Sequence, residues 1–173
     1  MKKLILGVLY LWLISCSPQE KHKESTPLYF DIAGYFNGEI NRLQKANPTL
    51  TKEVVAKNKS EQKTTKITDW KIELTSFSSA DINKASWRGE FKETTVANGV
   101  VYTTENPKIP IKKVEVLKIG ETIKGIKIFK TNNNYLYNST DTLFYYPDSL
   151  YLIQNQQKVK LLSVKNYKVI GRF

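Results

Sequence analysis
After Asp81 the chain is cut into short alternating segments by turn residues, and this punctuation limits the fold more than any other feature. Residues 87–96 and 100–104 flank Asn98-Gly99, a two-residue hairpin signal whose positions favour φ > 0. Pro107 and Pro110 break the chain, and residues 114–119 and 122–130 flank Gly120-Glu121. Asn132, Asn133 and Asn134 mark the next turn. Residues 135–146 predict one long strand, or two interrupted near Ser139-Thr140-Asp141. Pro147-Asp148 leads into residues 150–154, Asn155-Gln156-Gln157 into 159–164, and Lys165-Asn166 into a terminal strand over 167–173. Sequential strands joined by such short turns are antiparallel neighbours.

The amino-terminal half follows another period. Ile32, Phe36, Ile40 and Leu43 recur at intervals of four, four and three, one face of an amphipathic helix. Pro48 prevents its continuation, and Arg42 and Lys45 suit its carboxyl end. Residues 50–55 and 63–68 predict short strands separated by a polar turn at 57–61. Trp70, Leu74 and Phe77 share a helical face after a capping Asp69 or Thr68. Ile72 and Thr75 leave a strand as the alternative there. The expected class is therefore α+β: an amino-terminal helix, with an optional second short one, on an antiparallel meander of about six to eight strands. No internal repeat or domain-splitting linker interrupts residues 28–173, which read as a single domain.

The first sixteen residues carry a different message. Lys2 and Lys3 precede an eleven-residue apolar run, 4–14, too short for a spanning helix of roughly 20 residues. It suits the apolar segment of a secretory signal peptide. The run ends in Leu13-Ile14-Ser15-Cys16: an aliphatic residue, a tolerant position, a small residue and the chain's single Cys. This resembles the bacterial lipobox. The resemblance implies a signal peptide over 1–15, cleavage before Cys16 and covalent lipid on its sulfur. It also implies a membrane-anchored protein of the cell envelope facing the periplasm. More than one acyl chain makes such anchoring stable, at roughly 0.8 kcal/mol per buried CH₂. Residues 16–27 then form the lipidated Cys and a flexible polar tether. Ser17 follows the Cys without an acidic cluster, which suits the outer membrane's periplasmic leaflet.

Composition removes several chemistries. One Cys excludes an intrachain disulfide framework and a Cys-rich zinc site, and a single His, His22, excludes a His cluster. His22 lies in the tether, where no general base is held in geometry. Ser60-Glu61-Gln62-Lys63 matches Ser-x-x-Lys, but the partner motifs Ser-Asp-Asn and Lys-Thr-Gly are missing from the sequence. Asp31, Asp69 and Asp81 sit where helix caps and turns need them. With Glu90, Asp141 and Asp148 they leave a carboxylate-dependent glycan hydrolase as an alternative without a recognisable constellation. No cofactor, metal site or catalytic residue is expected beyond the covalent lipid.

The charge is +11, falling to +9 once Lys2 and Lys3 are removed. Lys108, Lys112, Lys113, Lys118, Lys124, Lys127 and Lys130 form a candidate basic surface interrupted by Glu115 and Glu121. Nucleic acid is not the expected partner: a secreted chain does not meet it, and only three of the 27 bases are Arg. An envelope protein, a glycan or anionic lipid fits better. Aromatics cluster late, at Tyr135, Tyr137, Phe144, Tyr145, Tyr146, Tyr151 and Tyr167. Adjacent ones point to opposite faces, so the sheet either carries a helix on one face or curls into a half-open barrel holding an apolar ligand. In that outline it resembles periplasmic lipoprotein carriers. The leading expectation is non-enzymatic binding, with lipid carriage as its rival.

Overall fold
The computed structural model describes residues 26–57, 59–160 and 162–173. Leu13, Ile14, Ser15, Cys16 and His22 lie outside the described residues. Among the described residues no helix is long and apolar enough to cross a membrane.

Helix α1 (Ile32–Ala46) begins at Asp31, whose side chain accepts a hydrogen bond from the Gly34 amide, and ends at Asn47 with φ of 44°. Its buried residues are Ile32, Phe36, Ile40 and Leu43, the stripe visible in the sequence. Two short helices follow later, α2 (Trp70–Glu73) and α3 (Thr75–Ser78), broken at Leu74. Trp70, Leu74 and Phe77 are all fully buried.

Nine strands form one antiparallel sheet: β1 (Thr49–Ala56), β2 (Lys59–Lys66), β3 (Lys92–Val96), β4 (Gly99–Thr103), β5 (Ile111–Ile119), β6 (Thr122–Asn133), β7 (Tyr137–Tyr146), β8 (Leu150–Val159) and β9 (Lys165–Arg172). Their spatial order is β2-β1-β9-β8-β7-β6-β5-β4-β3. Strands β3 to β9 run as a meander, and the β1–β2 hairpin joins it by pairing β1 with β9. The class is α+β with a meander sheet.

Several boundaries depart from expectation, each for a local reason. The sheet has nine strands, more than the six to eight expected. Its first hairpin pairs Ala56 with Lys59, so residues 59–61, expected in a polar turn, belong to β2. The β3–β4 loop is Ala97-Asn98, because Val96 pairs with Gly99. Gly99 is instead the first residue of β4, with φ of 141°. A Cβ there would sit 1.9 Å from the Val116 carbonyl oxygen, so glycine permits the close approach of β5. Strand β7 runs unbroken through Ser139-Thr140-Asp141, and β8 runs through Asn155-Gln156-Gln157. These polar residues favour turns in isolation, but here each pairs across the ladder with both neighbouring strands. Strand β8 instead ends at Val159, and β9 begins at Lys165.

Alternation along each strand gives the sheet two unlike faces. One carries Val114, Val116, Ile126, Ile128, Leu143, Tyr145, Tyr151 and Val169, and the three helices pack on it. Phe36 and Phe77 lie with ring centroids 5.2 and 6.0 Å from that of Tyr145. Trp70 meets Tyr151 at 6.3 Å and stacks on Phe173 at 5.7 Å. Each such aromatic contributes a few kcal/mol by burial, and this layer is the core.

Candidate functional site
The opposite, uncovered face carries a band of half-buried apolar side chains. Phe129, Phe144 and Leu152 follow one another across β6, β7 and β8, and Leu117 of β5 lies on the same face opposite Gly125. Gly125 on the same face makes room for Tyr146: a Cβ would lie 2.8 Å from two of its ring carbons. Cations stand among these residues. Lys113 Nζ lies 5.4 Å from the Phe129 ring centroid and Lys127 Nζ 5.7 Å from that of Phe144. Both ammonium groups converge on Glu115, at 2.6 and 3.5 Å. Burial pushes the Glu115 carboxyl up, but its hydrogen bond to Lys113 and the charges of Lys113 and Lys127 outweigh this and hold it below its ordinary value.

By register, the uncovered face carries the cations Lys66, Lys92, Lys113, Lys127, Lys158, Lys168 and Arg172 against the carboxylates Glu53 and Glu115. It is therefore positive as well as partly apolar. Lys92, Lys158, Lys168 and Arg172 carry no sequence signal that groups them with the others. They meet only because the meander brings β3, β8 and β9 into one surface.

The seven lysines singled out in the sequence do not share that surface. Lys113 and Lys127 lie on it. Lys130 lies on the helix-covered face, 3.6 Å from Asp141. Lys118 pairs with Ile123, which packs against the core, so it too faces the helix side. Lys112 occupies the irregularity between Ile111 and Lys113 and donates to the Asn106 carbonyl at 2.7 Å. Lys108 is exposed in the β4–β5 connection, and Lys124 is exposed where β6 shifts register. The bulges break the period of two, and a linear run of lysines splits between faces.

The helix-covered face holds two carboxylate clusters that sequence reading misses. Tyr145 donates to Glu39 of α1, and Arg42 grips the same carboxylate with two bonds at 2.9 and 2.8 Å. Arg42 also donates to Asp148 in the β7–β8 turn at 2.8 Å. Tyr151 donates to Glu73 of α2 at 2.5 Å, and Lys52 of β1 pairs with Glu73 at 2.7 Å. Burial raises the phenol pKa of Tyr145 and Tyr151, and the acceptor carboxylates raise it further. The partners lie 106 and 78 residues apart in the chain, and only the i, i+3 spacing of Glu39 and Arg42 signals either cluster. Lys52 matches the charge of Glu73, while Arg42 is shared between Glu39 and Asp148, and both clusters fasten helices to the sheet.

The other carboxylates weighed as catalysts serve the backbone or pair locally. Asp69 accepts from the Ile72 amide and Asp81 from the Asn83 amide. Glu90 accepts from Asn106, and Asn155 donates to Asp141. Ser60 and Lys63 lie on β2 rather than at the start of a helix, and Ser60 donates to Glu53 at 3.2 Å. A depression of about 480 Å³ over β1, β2 and β9 is lined by Thr51, Glu53, Gln62, Thr64 and Arg172. Another, of about 350 Å³, lies beside α3 between Lys130, Asp141, Ile153 and Tyr167. Both mix polar and apolar lining: Leu50 and Phe173 also border the first, and Leu143 the second. The chain has no significant match to any family model, curated protein or solved structure compared with it.

Proposed function
We propose that this is a lipid-anchored envelope protein that binds an acidic partner protein, without catalysis, through the uncovered face of its sheet. The observation that carries this reading is the juxtaposition of Phe129 and Phe144 with Lys113 and Lys127 on that face. An apolar band rimmed by cations recognises apolar contacts bordered by carboxylates, and its positive charge steers such a surface into place. The lipobox-like segment ending at Cys16 supports confinement to a membrane, and the short tether limits the reach to neighbours. The rival reading, carriage of an apolar ligand in a half-open barrel, needs space between helices and sheet. Phe36, Phe77, Trp70, Tyr145 and Tyr151 pack ring to ring in that layer, which favours the surface instead.

The test is capture from detergent-solubilised envelope at low and high salt. The wild type is compared with Lys127→Glu on the face and Lys108→Glu away from it. A partner lost at high salt and with Lys127→Glu, but kept with Lys108→Glu, is the expected result. Equal capture by all three proteins overturns the assignment to this face. A lipid that stays bound to the purified domain at high salt replaces it with the carrier reading.

A further inference from the structure
We propose that two copies of this chain join through their β2 edges, antiparallel about a twofold axis at Gln62, to make one continuous sheet. This inference is independent of the partner assigned to the uncovered face.

Strand β2 is the edge of the sheet, eight residues long, with every residue exposed except the half-buried Thr65. A free edge presents unpaired backbone groups that a second strand satisfies. Which groups are free follows from the hairpin. Ala56 pairs with Lys59 across the two-residue connection, so Lys59, Glu61, Lys63 and Thr65 bond inward to β1. Ser60, Gln62, Thr64 and Lys66 therefore turn their amides and carbonyls outward.

Two such edges can bond to each other only where outward residues stand opposite outward residues. Among the registers that pair five or more residues of each strand, charge selects one. With Gln62 opposite its own copy, Ser60 faces Thr64 and Glu61 faces Lys63, each twice by symmetry. Glu61 and Lys63 form no ion pair within one chain among the described residues, and each finds an opposite charge across the axis. Moving the register by two residues one way opposes Lys63 to Lys63. Moving it the other way opposes Glu61 to Glu61 and Lys59 to Lys63. The edge is thus complementary to itself in one alignment and repulsive in its neighbours. Lysines commonly guard edges against indiscriminate pairing, and here the alternation of sign converts that guard into a register. The paired surface is small beside a stable interface of at least about 1,200 Å². Association is therefore weak in dilute solution and strengthens where chains are concentrated together.

Disulfide trapping reads the register directly. The full chain is used with Cys16→Ser, so that each introduced cysteine is the only thiol. Gln62→Cys places two Cα atoms about 5.5 Å apart across the axis, within disulfide reach. Thr64→Cys places them more than about 13 Å apart. Gln62→Cys is expected to form dimers about tenfold faster than Thr64→Cys or Lys63→Cys, and the double variant Ser60→Cys/Thr64→Cys to cross-link as fast as Gln62→Cys. Lys63→Glu added to Gln62→Cys should slow trapping, and Glu61→Lys/Lys63→Glu should restore it. Equal rates at positions 62 and 64 overturn the proposal, as does fastest trapping at position 63 or failure of the charge swap to rescue. All these side chains are exposed, and far-UV circular dichroism confirms that each variant keeps the fold.

Discussion
Tyr145 and Tyr151 stand directly opposite each other on β7 and β8, and each donates its hydroxyl to a carboxylate of a different helix. Tyr145 reaches Glu39 on α1 and Tyr151 reaches Glu73 on α2. One cross-strand pair thus fastens two helices to the middle of the sheet. Each carboxylate is also held by a cation, Arg42 or Lys52, so burying it costs less than burying a lone charge.

Removing either hydroxyl should leave the ring packing intact and the carboxylate one donor short. Tyr151→Phe and Tyr145→Phe are each expected to destabilise by about 1.5–3 kcal/mol, the range for bonds to charged groups. Urea unfolding measures this. Because the two positions are cross-strand partners, the double variant should depart from additivity. A Tyr151→Phe protein as stable as the wild type would show that the Glu73 bond is immaterial.

The same bonds set a limit at alkaline pH. The folded protein holds the protons of Tyr35, Tyr145 and Tyr151 more tightly than the unfolded chain, through burial first and neighbouring carboxylates second. Their contribution is whole below the ordinary tyrosine value near about 10 and is lost as pH rises above it. Stability should therefore fall above about pH 10, more gently in Tyr145→Phe/Tyr151→Phe. Glu115 acts in the opposite direction. Its lowered pKa gives stability present above the ordinary carboxyl value and lost as pH falls through the folded one. Glu115→Gln should remove that acid-side component in thermal melts below about pH 5.

Elements whose local and tertiary preferences agree were legible from sequence. The α1 stripe of Ile32, Phe36, Ile40 and Leu43 was visible because burial follows the helical period. Trp70, Leu74 and Phe77 signalled a buried helical face, although the chain breaks it at Leu74. Asn155-Gln156-Gln157 reads as a turn because its composition is polar, yet ladder bonding on both sides keeps it in β8. The lysine run from Lys108 to Lys130 looks like one surface because a sequence does not show where bulges shift the alternation. The uncovered face draws on strands from both ends of the sheet, and no local pattern announces it.

Glycines 171 and 99 separate packing from backbone effects. Gly171 lies opposite Tyr151, and a Cβ there would stand 2.1 Å from its ring. Gly171→Ala should displace that ring and destabilise by about 1–3 kcal/mol or more. Gly99→Ala meets a backbone carbonyl at 1.9 Å and a positive φ, neither of which a rotamer change relieves. It should be the costlier change, read as the lower urea midpoint of the two. The reverse order would mean that β4 shifts more easily than the Tyr151 ring.

The lipid anchor is tested apart from the domain. The expectation rests on Lys2 and Lys3, the apolar run that follows, Ser15 and the single Cys at position 16. If Cys16 carries the lipid, cells fed a radioactive fatty acid should label the wild-type protein and leave Cys16→Ser unlabelled. The variant should also leave the membrane fraction, because the short apolar run does not span a bilayer. The sheet and its helices are built from residues 32–172, so the unfolding transition of the domain is expected to stay unchanged in Cys16→Ser. Equal label in both proteins would overturn the anchor while leaving the fold and the β2 edge as they stand.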